Sequence, residues 1–145
     1  MTETECVMDL LGGRKVFNGR GPSTTMQLRE RVRAGLPYRS LESIRVRLNL
    51  PLSEAAAVLG VPLRTLARRR HRRRLDARES DRLYRWARIA GHDVGALGTD
   101  QKAAAWLRRP NRALSGEAPL ALLDTDIGAR QVEDVLGRIE RGVVG

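Results

Sequence analysis

The stretch from Leu52 to Leu75, LSEAAAVLGVPLRTLARRRHRRRL, constrains the fold most: two short apolar-patterned segments meet at a glycine, and the second ends in a run of cations. Ser53 is placed to cap a first helix, and Glu54 lies in its first turn, where the positive end of the helix dipole favours a carboxylate. Ala55, Ala56, Val58 and Leu59 supply the apolar face. Gly60 permits the left-handed backbone that ends a helix and reverses the chain. After the Val61-Pro62 turn, a second helix is expected from Leu63 to about Arg72. Leu66 and Ala67 should face inward, with Arg64, Thr65, Arg68 and Arg72 on the opposite face. This is the pattern of a helix-turn-helix, whose second helix enters the DNA major groove with early residues on base edges and later cations on phosphate. Pro62 stands where Ser or Thr usually caps that helix, but proline is well suited to a helix start.

A small-residue helix, a glycine turn and a second helix also make an ordinary helical hairpin, and many arginine runs are only solvated faces. Here Arg64, Arg68, Arg69, Arg70, Arg72, Arg73 and Arg74 crowd one helix and its exit. Their mutual repulsion is relieved by a polyanion, which favours DNA binding over a purely structural hairpin. The candidate DNA contacts are Arg64, Thr65, Arg68, Arg69, Arg72 and Arg73.

A chain of 145 residues, 3% of them aromatic and without strict alternation, is expected to be all-α with an Ala/Leu/Val core. Its charge is unevenly placed. Residues 1–98 carry 20 Lys/Arg against 10 Asp/Glu, residues 99–116 carry 4 against 1, and residues 117–145 carry 3 against 6. A basic body followed by an acidic terminal section suggests two separate binding tasks. Cys6 is alone, and His71 and His92 have no further ligands at suitable spacing, so neither a disulfide framework nor a zinc site is expected. No apolar run approaches membrane-spanning length and residues 1–20 contain no signal-peptide core, so a cytoplasmic protein without membrane partners is expected.

In chain order, residues 1–24 read as a flexible segment in which Val7, Met8, Leu10 and Leu11 form at most one apolar turn before Gly12 and Gly13. GGRK at Gly12 to Lys15 lacks the spacing and the hydroxyl residue of a phosphate loop. Thr24 and Gln27 make a capping box for a helix through about Ala34, stopped at Gly35, and Ser40 caps another through about Leu48. Asp76 and Glu79 form a second box. They open a broadly apolar, central helix bearing Leu83, Tyr84, Trp86, Ala87, Ile89 and Ala90. Gly91, Gly95 and Gly98 loosen the next stretch, and a boundary is expected within it, dividing a helix-turn-helix domain at 25–98 from a small helical domain at 99–145. In the latter, Thr99-Asp100 starts one helix and Pro119 a short turn. Asp124 or Thr125 caps a last helix with Val132, Val135, Leu136 and Ile139 on one face, and Gly142 stands at its end.

The C-terminal block is similar to a known family. Trp106-Leu107, Pro110-Asn111, Ala113-Leu114, Gly116, Pro119-Leu120, Leu122-Leu123-Asp124-Thr125, Gly128-Ala129, Val132-Glu133 and Leu136-Gly137-Arg138-Ile139 together resemble the toxin-binding domain of the Xre/MbcA/ParS antitoxins. Upstream, LLGG at Leu10 to Gly13, AGLP at Ala34 to Pro37 and LGVPLRTLARR at Leu59 to Arg69 look like the Xre-type half of such proteins. The extra arginines of residues 68–74 and the short GHDVGALG at Gly91 to Gly98 depart from the pattern.

The resemblance implies an antitoxin of a type II system. Its partner would be a RES-domain toxin, an NAD-consuming or ADP-ribosylating enzyme blocked at its active site by the antitoxin's last helix and tail. Arg138, Glu140, Arg141, Gly142, Val143 and Val144 are the implied tail contacts, with Trp106, Asn111 and Glu133 of the matching motifs beside them. It further implies autoregulation through operator DNA, for which a homodimer suits a palindrome. The alternative is a stand-alone helix-turn-helix transcriptional regulator. An enzyme is not expected: Asp124 and Asp126 are neighbours, but no nucleophile, base or metal cluster accompanies them and no cofactor is implied.

Overall fold

A computed structural model describes residues 2–18 and 21–142. The chain is all-α, as its composition implies: α1 (Glu3–Leu10), α2 (Gly13–Phe17), α3 (Thr25–Ala34), α4 (Tyr38–Arg47), α5 (Leu52–Leu59), α6 (Leu63–Arg72), α7 (Ala77–Leu97), α8 (Asp100–Arg108), 3₁₀ turns at Arg112–Leu114 and Pro119–Leu122, and α9 (Asp126–Glu140). The extended contact found among the described residues is an isolated bridge between Pro37 and Arg74.

Everything is built around α7. Asp76 accepts from the Glu79 amide while the Glu79 carboxylate accepts from the Asp76 amide, so the helix starts with a complete capping box. Leu83, Trp86, Ala87, Ile89 and Ala90 are fully buried, a stripe too broad for one neighbour. Accordingly α7 packs against α1, α3, α5, α8 and α9. The expected interruption at Gly91 and Gly95 does not occur. The helix runs through both and ends at Gly98, which takes the left-handed conformation. Gly91 lies beside α1, where a Cβ would make ordinary contact with the side chains of Leu10 and Cys6 at 3.5 and 3.8 Å. Burial of α7 against five neighbouring helices outweighs the roughly 1 kcal/mol helix penalty of each glycine.

The N-terminal segment, expected to be flexible, is also part of the core. Thr2 and Glu5 form a capping box for α1, and Val7, Leu10, Leu11 and Phe17 are almost wholly buried. Arg47 at the end of α4 ties this segment down by bonding Asp9 of α1 at 2.9 Å and Asp100 of α8 at 3.0 Å.

Two expected caps shift. Ser40 and Ser53 lie inside first turns, because Pro37 and Pro51 take the cap positions and their carbonyls accept the first helical bonds. Burial of Tyr38 and Leu41 draws the start of α4 forward, leaving Ser40 completely buried. Thr24 does cap α3, but Gln27 returns to the Ser23 amide rather than to that of Thr24. At the last helix Thr125, not Asp124, accepts from the Gly128 amide.

Gly128 is where α9 crosses the second 3₁₀ turn, and a Cβ there would overlap the Leu122 carbonyl. Backbone cannot yield as a flexible side chain does, so Gly128→Ala should cost at least 1–3 kcal/mol, roughly the range for overpacked sites. Thermal denaturation is the check; an unchanged midpoint would mean that this crossing is not tight.

Candidate functional site

Two surfaces hold the residues singled out from the sequence. The first is the helix-turn-helix. Gly60 ends α5 with φ 68°, and the turn amides of Gly60 and Val61 return to Ala57 and Ala56. Arg82 of α7 lies over this turn and donates to the Leu59 carbonyl at 2.6 Å, fixing the angle at which α6 leaves. The far end of α6 is fastened by Tyr38 N–H to the Arg73 carbonyl and by Leu75 N–H to the Leu36 carbonyl.

The buried stripe of α6 differs from expectation. Thr65 and Leu66 face the core, whereas Ala67 is exposed. The roll of the helix is set by Arg69, which reaches inward to Glu79 at 2.8 Å and Asp76 at 3.3 Å. Glu79 is almost fully buried, and its hydrogen bond is the main cause holding the Arg69 pKa above the ordinary arginine value. Arg69 therefore joins α6 to the start of α7, and Thr65 receives a weak bond from Arg68 at 3.4 Å. Of the six candidate DNA contacts, Arg64, Arg68, Arg72 and Arg73 are exposed and make no ion pair among the described residues. Arg70 and Arg74, from the same run but outside the candidate set, are exposed beside them. Arg73 ends α6 in the left-handed conformation, φ 63°.

Much of the remaining arginine excess is structural. Arg82, Arg85 and Arg88, one turn apart on α7, reach the Leu59 carbonyl, the Leu123 carbonyl and Glu133 respectively. Nothing in a linear charge count separates these from solvated cations, but their spacing of three along a half-apolar helix marks a single row directed at neighbouring elements.

The second surface is the C-terminal third. Trp106, Asn111 and Arg138 line one depression together with Arg109, Pro110, Arg112 and Ala113. Glu133 does not join them: it bonds Arg88 at 2.6 Å beside a separate depression between α1, α7 and α9. Glu140 pairs with His92 of α7 at 2.8 Å, holding the end of α9 against the central helix. Arg141 is the last cap, and Gly142 follows with φ 78°. Val143 and Val144 lie outside the described residues. Among the described residues no cluster of three metal-binding side chains occurs, and no helix is long and apolar enough to cross a membrane.

These two surfaces coincide with two known modules. Residues 27–88 match the antitoxin Xre-like helix-turn-helix domain, and residues 93–142 the antitoxin Xre/MbcA/ParS C-terminal toxin-binding domain. The Antitoxin Xre of Yersinia enterocolitica is 35% identical over 114 residues, covering 77% of each chain. That of Photorhabdus laumondii is 34% identical over 112 residues, covering 76% of each. That of Pseudomonas putida is 41% identical over 83 residues, covering 57% of this chain and 52% of its own. The junction between the two matches falls inside α7, so both modules are built on one continuous helix.

Proposed function

Because this chain belongs to the Xre antitoxin family, with a helix-turn-helix and a toxin-binding module, we propose that it neutralises a RES-type, NAD-consuming or ADP-ribosylating toxin by placing its C-terminal tail in the toxin's active site. The observation that carries this reading is the end of α9. Glu140 lies against His92, and Gly142, the last described residue, turns left-handed out of the helix. The residues proposed to enter are Val143 and Val144, supported by Arg138, Glu140, Arg141 and Gly142. A Val-Val end suits the apolar part of a nucleotide cleft, and the acidic character of residues 117–145 suits a cleft that attracts an anionic substrate.

The exposed arginines of α6 are proposed to bind operator DNA, so that the protein represses its own operon as a homodimer whose two helices read half-sites one helical turn apart. Three residues separate the blocking reading from that of a stand-alone regulator. In cells producing the neighbouring gene's protein, the full chain should restore growth and NAD, whereas a chain ending at Gly142 should still bind that protein without restoring either. This truncation removes nothing from the described fold. Equal rescue by both chains contradicts a blocking tail; absence of toxicity, with operator DNA still bound, supports the regulator.

A further inference from the structure

The depression between α8, the first 3₁₀ turn and α9 has an unbalanced lining. Arg109, Arg112 and Arg138 converge on it with the half-buried Trp106 ring, and no acidic side chain takes part. The other half-buried arginines all have a partner: Arg45, Arg47, Arg69 and Arg88 meet carboxylates, and Arg82 and Arg85 meet backbone carbonyls. Half-buried Arg138 has no such partner among the described residues beyond the C-terminal end of the α9 dipole, and the exposed Arg109 and Arg112 beside it meet no carboxylate either. The space is about 530 Å³ and wide-mouthed, more than an ion needs.

The wall is rigid. Asn111 uses its side-chain oxygen to accept from the Ala113 amide, and its carbonyl accepts from Leu114 and Gly116. Its own N–H reaches the Glu117 carbonyl, closing the loop 111–117 on itself. Arg109 and Arg112 flank Pro110-Asn111 on a backbone that needs little ordering when a ligand arrives. The Asn111 amide nitrogen remains as a further donor. The charged side chains of the lining are all donors, while Trp106, Pro110 and Ala113 are its apolar members. The complementary ligand is a peptide carrying carboxylates next to an aliphatic or aromatic residue.

We infer that this groove is an anchoring site for an acidic segment of the partner toxin, holding it at a place separate from the cleft that the tail enters. The inference rests on the toxin-binding reading above and adds a division of labour: the groove supplies affinity and the tail supplies inhibition. Charge complementarity favours an acidic protein segment, and Glu140, the carboxylate at the end of α9, already lies 2.8 Å from His92. Nucleic acid is the competing occupant, and the experiment separates the two.

Full-length chain carrying Arg109→Glu and Arg112→Glu is titrated with the purified neighbouring protein and, separately, with operator DNA, at several salt concentrations. Both positions are exposed, so the thermal midpoint should not move. Toxin affinity should fall by about a hundredfold or more and lose most of its salt dependence, as expected when paired charges are reversed, with DNA affinity changing far less. The Arg109→Lys, Arg112→Lys variant should recover part of the loss, since charge survives and the bidentate geometry does not. Unchanged toxin affinity in the Glu variant overturns the groove and leaves the tail reading standing. A loss of DNA affinity in place of toxin affinity assigns the groove to nucleic acid. If wild-type chain binds no neighbouring protein at all, the toxin reading fails and the groove with it.

Discussion

Asp93→Asn should stabilise this protein at neutral pH and flatten the dependence of its stability on pH. Asp93 is fully buried on α7, and neither carboxyl oxygen has a hydrogen-bond partner among the described residues. Burial alone pushes its pKa up, from 3.8 to about 8. Between those two values the folded protein keeps a proton that the unfolded chain releases. Stability from this group is therefore complete below about pH 4 and is lost as pH rises through about 8. At pH 7 the cost of keeping the acid neutral reaches up to roughly 4 kcal/mol, from about 1.4 kcal/mol per pH unit over the interval. Asparagine has the same shape and no charge to suppress. Urea unfolding of both proteins from pH 5 to pH 8.5 is the measurement. The wild type should weaken across that range and the variant should not; parallel profiles would show that Asp93 ionises freely in the folded state.

The second large effect belongs to α6. Alanine at Arg64, Arg68 and Arg72 together should weaken operator binding about a thousandfold near physiological salt and reduce the salt slope by roughly two to three, since each phosphate contact contributes about 0.9. They are exposed and form no ion pair among the described residues, and Arg68 makes only a weak bond to Thr65, so the fold should survive. The single changes should differ in kind. Arg64→Ala, in the first turn of the helix, should relax base preference by about 1–3 kcal/mol, whereas loss at Arg73 should weaken all sequences equally. Arg73 is best tested as Arg73→Gly, because its left-handed backbone disfavours any Cβ by about 1–2 kcal/mol. That variant should melt higher while binding DNA less well. Uniform loss in both single variants, fluorescence anisotropy being the readout, would refute the division between base and phosphate contacts. Arg69 is unsuitable for this series: its removal leaves Glu79 buried without its cation, which confounds stability with affinity.

How much of the fold and of the two surfaces is legible in the sequence depends on whether the deciding interaction is local. The Gly60 turn, the Asp76/Glu79 box, the Thr99 cap and the span of α6 all follow from residues within four positions of one another, and local sequence carries such signals completely. The N-terminal helix escapes such a reading for a different reason. Thr2, Glu5 and the Val7, Leu10, Leu11 spacing are present, but a helix of eight residues is marginal alone and becomes stable only against α7. The same holds at Gly91 and Gly95: glycine argues against a helix locally, and only the packing of α7 against its neighbours carries the helix through both.

The chain's own pattern determined its helical class, the helix-turn-helix, the central position of α7 and a charge distribution divided between a basic body and an acidic end. Tertiary structure alone decided which arginines are available. Arg82, Arg85, Arg88 and Arg69 are used to close the fold, while Arg64, Arg68, Arg72 and Arg109 are left to face solvent. A guanidinium's charge is the same in either role. The roles differ in whether a carbonyl or carboxylate from a distant part of the chain comes within hydrogen-bonding reach, and that distance exists only once the helices have packed.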